Sequence, residues 1–528
     1  MGNFLKFMKK HCLVLCIFAL IFAVGFVACE DEGGGEKNGD KVKNDPNITN
    51  VTITQIGGSV EVSRGSYENL TARVIGKAGT NPVQTVKWEI ASSGHKAGTR
   101  FDTAVNGKLY VAADETKNEI TVKATATANT SVSKTANIIV IDNPAPQTPQ
   151  TFNTITAAAL VADIKIGWNL GNTFDAHKTG DWFPSATDAT VTELETAWLP
   201  GNTSQKSAAV TKEAHIKALS DAGFNAIRIP VTWYKAADSQ YNIRQDWMRR
   251  ITEVVNWALE NDMYVFLNSH HDEYNFNLFQ ALRDGKLTID ESLNMFEKFW
   301  EQIAYNFRNY DERLIFEALN EPRTVGSQAQ WSGGTSEERA NLNMFYQQFV
   351  NLVRESGGNN DKRILLINTY AASGSESAIN DLALPNDPSG TGKIIISVHR
   401  YIPDGFAFQR YGYTAWDRNT NGAAITSELN RIQTKGSALG VPVIMGEFGA
   451  VNAEAKNASN PAQRNDWVDF YVTEAKNRGI PCFWWDNYIF DATSNDSETF
   501  GLLNRADNTF RFPELLSAMM QAAGVSGY

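Results

Sequence analysis

The sequence predicts an α/β protein: a (β/α)8 TIM barrel preceded by a small all-β sandwich. Three observations predict it. From residue 152 onward, eight short apolar runs alternate with longer amphipathic stretches, a pattern that closes into a barrel of parallel strands under a coat of helices. From 48 to 142 the apolar residues recur instead with period two, in short runs spaced by Gly, Asn and Ser. Between the two regions, residues 143–151 carry Pro144, Pro146 and Pro149, which make a stiff, extended linker that sets the two units apart.

The N-terminus reads as an export signal. Lys6, Lys9 and Lys10 precede the apolar run Cys12 to Val27, which is short for a membrane span and is followed at once by acidic, Gly-rich sequence. The run ends Phe26, Val27, Ala28, Cys29 and resembles a lipoprotein processing site. That resemblance implies a signal peptide over 1–28, a lipidated Cys29, and a protein exported and lipid-anchored at the cell envelope or surface. Residues 29–47 are polar and form a disordered tether. Of four cysteines, Cys12 and Cys16 would be removed and Cys29 acylated, so Cys482 is left with no intramolecular disulfide partner.

Residues 48–142 hold seven short strands: Val51 to Ile53, Val60 to Val62, Leu70 to Val74, Val86 to Ile90, Leu109 to Val111, Ile120 to Ala124 and Ile138 to Val140. The stretch Val86 to Ile90 with Ile120 to Ala126 resembles bacterial immunoglobulin-like modules. Trp88 is expected in the core of that sandwich, not as a sugar platform.

In the region 152–528 the eight strands are Ile164 to Gly171, Ala226 to Val231, Tyr264 to Ser269, Leu314 to Asn320, Ile364 to Thr369, Ile394 to His399, Val441 to Glu447 and Pro481 to Asp486. Amphipathic stretches between them include Ser207 to Asp221, Gln245 to Glu260, Leu293 to Phe307 and Arg464 to Arg478. In such a barrel, chemistry gathers where the strands end. The fourth strand ends on Asn320 and Glu321, the seventh on Glu447. A carboxylate at the end of a buried strand has no packing reason to be there, and two of them form the pair that glycosidic-bond hydrolysis requires. Other strands deliver Asn172, Arg228, His270 and His271, His399 and Tyr401, and Trp485. Three of the seven histidines fall on these ends.

The segments Gly167 to Asn172, Arg228 to Trp233, Phe316 to Pro322 and Gly446 to Gly449, taken together, resemble glycoside hydrolase family five, the cellulase family with retaining chemistry. Trp168 to Thr173, Glu195 to Trp198 and Trp484 to Asn487 resemble its fourth subfamily of endo-β-1,4-glucanases and xyloglucanases. The resemblance implies Glu321 as acid/base and Glu447 as nucleophile. It implies that Arg228 and Tyr401 hold Glu447 ionised, that Asn320 meets the hydroxyl beside the reacting carbon, and that His399 influences Glu321. It implies that Asn172, His270, His271 and Trp485 line the sugar subsites. The implied partner is a β-glucan acted on by a monomer. A mannanase or xylanase of the same mechanism, or a non-catalytic polysaccharide-binding protein, remain the alternatives.

Competing readings attach to single residues. Glu317 shares the strand parity of Glu321 and reads as an interior charge partner of Arg228. His270 and His271 would need a third ligand to hold a metal, and none stands at metal spacing, so neither metal nor cofactor is expected. Trp484 packs outside the barrel, and Arg400 points away from the pocket. Trp182, Trp198, Trp233, Trp331 and Trp416 are candidates for outer subsites. The net charge of −11 argues against nucleic acid as a partner.

Overall fold

Each apolar run of the second region forms a parallel strand, and the eight close into a barrel in chain order. The strands are β1 (Gly167–Leu170), β2 (Ala226–Ile229), β3 (Tyr264–Asn268), β4 (Leu314–Glu317), β5 (Leu365–Asn368), β6 (Ile394–His399), β7 (Val443–Phe448) and β8 (Cys482–Asp486). This computed structural model describes residues 44–527 except 55–59, 177–188, 200–202, 273–284, 286, 409–413 and 493–497. Cys29, the expected export segment and most of the expected tether lie outside the described residues, as does Trp182.

The strands read as unbroken apolar runs because both their faces are buried. Phe266, Ile315, Ile395, Ile444 and Phe483 fill the barrel interior together with Leu160 and Val161 of α1 (Ala157–Asp163). Their chain neighbours Val265, Phe316, Met445 and Trp484 join a second core shared with the surrounding helices. The helices include α2 (Glu213–Asp221), α3 (Gln245–Glu260), α4 (Ile289–Asn306), α5 (Ser336–Glu355), α6 (Arg418–Leu439), α7 (Asn460–Lys476) and α8 (Pro513–Ala523). α4 shows how they are specified. Thr288 and Glu291 form a capping box at its start, and Met295, Phe296, Phe299, Trp300 and Ile303 make one apolar stripe. The Trp300 indole N–H donates to the Ala318 carbonyl at 3.0 Å, fastening the helix to the segment that carries Asn320 and Glu321.

Strand register brings the interior polar groups together. Asn169 of β1 stands opposite Arg228 of β2, and Asn268 of β3 stands opposite Glu317 of β4. Between β6 and β7 the register slips, so that His399 faces Glu447. Gly446 permits this approach: a Cβ there would lie 2.3 Å from Ser397 Oγ and 2.9 Å from His399 Nε2.

The first region forms nine strands among the described residues, two more than the period-two pattern gives. The additions, Tyr67–Asn69 and Arg100–Phe101, are too short to show alternation. They pair with Lys108–Tyr110 in a three-stranded sheet. Val60–Ser63, Ser133–Ile141, Glu119–Ala126 and Val86–Ile90 make a four-stranded sheet, and Ile48–Ile53 pairs with Ala72–Gly76. One core, with Trp88 inside it as expected, joins these sheets.

The linker does not set the two regions apart. Ala145 is buried in the outer core of the barrel, and Asn256 and Asn309 side chains donate to the carbonyls of Pro144 and Pro146 at 2.9 and 2.8 Å. The sandwich also touches the barrel directly. Gln245, at the start of α3, accepts from Ser63 N–H at 3.3 Å and donates to the Glu68 carboxylate at 3.1 Å. Lys108 reaches Glu301 of α4 at 2.7 Å, and the rings of Tyr67 and Tyr305 meet edge to face at 5.0 Å. Proline content dictated stiffness; the polar surface of α3 and α4 dictated where the stiff segment lies.

Candidate active site

At the C-terminal mouth of the barrel one guanidinium organises its neighbours. Arg228 is fully buried on β2. Its Nε and Nη2 donate to the two oxygens of Glu317 at 2.6 and 2.9 Å, a fork-to-fork pair. Its Nη1 donates to Glu447 Oε1 at 2.7 Å and to Asn169 Oδ1 at 3.0 Å. Nη2 also reaches Asn320 Oδ1 at 2.7 Å. Arg228 therefore serves both readings at once, paired to Glu317 below and to Glu447 above. Burial opposes its charge, but Glu317 and Glu447 more than offset that and hold it firmly protonated. Because Asn320 spends its oxygen on Arg228, its NH2 group remains as a donor.

Glu321 and Glu447 face each other with His399 between them. Carboxyl oxygens of the two glutamates and a ring nitrogen of His399 all lie within 4.8 Å of one another. His399 Nδ1 is 3.1 Å from Glu321 Oε1 and 3.6 Å from Glu447 Oε1. Tyr401 donates its hydroxyl to Glu447 Oε2 at 2.9 Å, so both oxygens of Glu447 accept a hydrogen bond. Burial raises the Tyr401 hydroxyl well above its ordinary pKa, with Glu447 adding to the rise, so it stays a donor.

The two carboxyls lie close enough to titrate as a pair. Burial pushes Glu447 above the usual carboxylate range, and the charge on Glu321 adds to this against His399, Arg228 and Tyr401. Burial also raises Glu321, but the hydrogen bond and charge of His399, with Arg323 beyond, bring it below its ordinary value. These directions are opposite to the roles of nucleophile and acid. His399 acts on both carboxylates, whereas the hydrogen bonds from Arg228 and Tyr401 go to Glu447 and not to Glu321. Those two donors favour an ionised Glu447 and leave the mobile proton to Glu321.

These groups open into a cleft of about 440 Å³, lined by Asn172, Asn320, Glu321, His270, His271, His399, Tyr401, Glu447 and Trp485 among others. Every binding and catalytic residue expected from the barrel sequence, apart from buried Arg228 beneath it, reaches this one space. Trp485 fits because Gly171 lacks a Cβ, which would lie 2.9 Å from its ring. Trp484 packs in the outer core and donates to the Phe500 carbonyl at 3.0 Å. Of the outer-subsite candidates, Trp233 and Trp416 are buried and Trp198 does not line the cleft. Trp331 lines it and is 53% exposed, with the Arg323 guanidinium 4.2 Å from its ring centre.

Two expectations need correction. Arg400 lines the cleft edge instead of pointing away, because strand parity lapses after the slip at His399 and Glu428 holds the guanidinium at 3.0 Å. A third potential ligand does stand beside the histidines: Asp175, from beyond β1, lies with His270 and His271 so that their donor atoms are within 4.8 Å. Sequence spacing could not find it, since the residues are some 95 positions apart and meet only through barrel closure. Asn169, visible in the sequence only as the end of the first strand, and Arg323 were given no role there. Asn169 ends an apolar run, which is the same signal that marked the glutamates; Arg323 gave none.

The family model described as Cellulase (glycosyl hydrolase family 5) matches residues 179–491. Endoglucanase 1 of Ruminococcus albus is 38% identical over 403 residues, covering 76% of this chain and 89% of that protein. Cellulase/esterase CelE of Acetivibrio thermocellus is 41% identical over 373 residues, 70% of this chain; the chain spans only 41% of the length of CelE. Among solved structures, a GH5-4 broad specificity endoglucanase from Ruminococcus champanellensis with bound cellotriose superposes with TM-score 0.63 at 40% identity, covering 70% of this chain and 100% of that one. A lichenase from Caldicellulosiruptor sp. F32 gives TM-score 0.60 at 34% identity, covering 71% of this chain and 97% of that one.

Proposed function

Because the chain belongs to glycosyl hydrolase family 5, the cellulase family, we propose that it is a retaining, endo-acting glycoside hydrolase that cleaves β-1,4-linked glucan backbones. The observation that carries this is the approach of Glu321 and Glu447 to within 4.8 Å. Carboxyls about 5 Å apart leave no room for a water between one of them and the sugar, so that one must attack directly. Glu447 attacks the anomeric carbon while Glu321 gives its proton to the departing glycosidic oxygen. Glu321, now ionised, takes a proton from water, whose oxygen displaces Glu447 and restores both groups. Arg228 and Tyr401 hold Glu447 in line, and the NH2 group of Asn320 meets the hydroxyl beside the reacting carbon.

The open cleft and the exposed Trp331 at its side support binding of a chain at several sugars and internal cleavage. Mixed-linkage glucan and xyloglucan fit the same reading. We place the enzyme at the cell envelope through lipid on Cys29, with residues 48–142 as an immunoglobulin-like brace against the barrel. The test is initial rate on carboxymethylcellulose, barley β-glucan, xyloglucan, xylan and mannan, with viscosity followed against reducing ends and the fresh anomer read by NMR. A fast viscosity fall on β-glucan with β-anomer first is expected. Preference for mannan or xylan would overturn the substrate class, and α-anomer first would overturn the double displacement.

A further inference from the structure

We propose that Asn268 is a positioning residue that fixes His270 as its Nε2–H tautomer, so that His270 and Asp175 meet a pair of adjacent sugar hydroxyls as donor and acceptor. The ligand class rests on the glycoside hydrolase reading above; the tautomer does not.

Asn268 is fully buried at the end of β3. The backbone N–H of Val231 donates to its Oδ1 at 3.0 Å. A backbone N–H can only donate, so that side-chain atom must be the amide oxygen, and the other end must be NH2. That NH2 lies 3.1 Å from His270 Nδ1. It too can only donate, so Nδ1 accepts, and a neutral imidazole whose Nδ1 accepts carries its proton on Nε2. The frame around this pair is rigid. His270 N–H donates to the Val231 carbonyl at 2.8 Å, and the Trp233 indole donates to the Asn268 carbonyl at 2.9 Å. The Trp485 ring lies nearly parallel to the imidazole, 13° off plane with centres 5.8 Å apart.

His270 Nε2 is 3.7 Å from Asp175 Oδ2, and both residues line the cleft. Asp175 is 1% exposed, and its Oδ1 has no hydrogen-bond partner among the described residues. A buried acceptor left unpaired is unfavourable, and a ligand hydroxyl is the group that would satisfy it. Each sugar hydroxyl both donates and accepts, so a fixed donor beside a fixed acceptor matches two neighbouring hydroxyls. The same tautomer disfavours a cation at the Asp175, His270 and His271 cluster. Metal at Nε2 would move the proton to Nδ1, where it would face the NH2 of Asn268.

The substitution Asn268→Asp reverses the pattern. One carboxylate oxygen still accepts from Val231, and the other now accepts from an Nδ1–H, leaving Nε2 bare. Two measurements test the proposal. The first is 15N NMR of the full chain with labelled histidine, the His270 signals being assigned by their loss in His270→Gln. An Nε2–H pattern is expected; an Nδ1–H pattern overturns the proposal, whatever the enzyme's activity. The second compares Asn268→Asp with wild type on barley β-glucan, with and without zinc. A KM raised on the order of tenfold to a hundredfold, a smaller change in kcat, and new zinc inhibition reversed by chelator are expected. Unchanged KM without zinc sensitivity overturns it. If Asn268→Asp does not fold, the wild-type tautomer alone decides, and a protein inactive on every glucan would refute the functional reading without touching the tautomer.

Discussion

Replacing Tyr401 by Phe isolates one hydrogen bond at Glu447, the proposed nucleophile. The ring keeps its packing against Phe408 and Phe500, with centres at 4.6 and 5.4 Å, while the donor to Glu447 Oε2 at 2.9 Å is removed. A hydrogen bond to a charged group contributes about 1.5–3 kcal/mol. If that is expressed in the ionisation of Glu447, its pKa rises, because the Tyr401 bond is one of the contacts that lower it. The sign follows from the role. Glu447 must be ionised to attack, so raising its pKa moves the acidic limb of kcat/KM toward higher pH. That limb reports the free enzyme, which is the state described by the geometry above. Burial and Glu321 already raise Glu447 in the free site, so the limb moves from a starting point above the usual carboxylate range. On the plateau the loss is expected to stay within about a hundredfold, the penalty of a carboxylate set slightly out of line. The assay is initial rate on a soluble β-glucan from about pH 4 to 9, a span that brackets the limb, with thermal melting as a check on folding. A limb that stays in place, or moves to lower pH, would refute the assignment of Tyr401 as a donor that favours ionised Glu447.

Two further outcomes follow from the same geometry. Glu321→Ala should abolish nearly all activity on polymer yet keep the first step on aryl glycosides whose leaving group needs no proton; equal loss on both would remove Glu321 from the acid role. Deleting residues 30–150 should leave the cleft intact, since the residues that line it begin at Asn172, but should lower the melting temperature by ~2–4 °C for each kcal/mol that the sandwich and linker contribute to the barrel. An unchanged melting temperature would mean that the interactions of Lys108, Tyr67 and the 143–151 segment with the barrel contribute nothing.

The barrel was legible because parallel strands covered on both faces leave an unambiguous trace: short apolar runs with turn residues between them. The proposed catalytic pair was legible for the converse reason. Glu321 and Glu447 follow such runs, where packing gives a carboxylate no purpose, and Glu317 could be told from Glu321 by its place one repeat lower. What escaped was set by relations between strands. Asn268 looks like any polar residue at a strand end until register places it beside Val231 and His270. Arg400 was misjudged because alternation was carried past the slip at His399, where a strand rule no longer governs the side chain. Docking of the linker was invisible because composition reports stiffness and is silent about contact.

The arrangement of polar groups inside the mouth also explains why so many are buried at once. Arg228 stands between Glu317 and Glu447, and neither carboxylate could be buried there alone without a large desolvation cost. Glu317 takes two of the guanidinium's bonds and has no opening to the cleft. Its effect is to fix the plane of Arg228, so that Nη1 and Nη2 point at Glu447 and Asn320 before any sugar arrives. Oxygen atoms that face Arg228 are thereby committed to it, and the remaining valences, the NH2 group of Asn320 and the carboxyl of Glu321, are turned toward substrate. Pre-set donors of this kind need no reorganisation as charge moves in the transition state. A buried ion triad that would be a poor choice for stability alone is thus accounted for by the geometry that it imposes on Glu447, the proposed nucleophile.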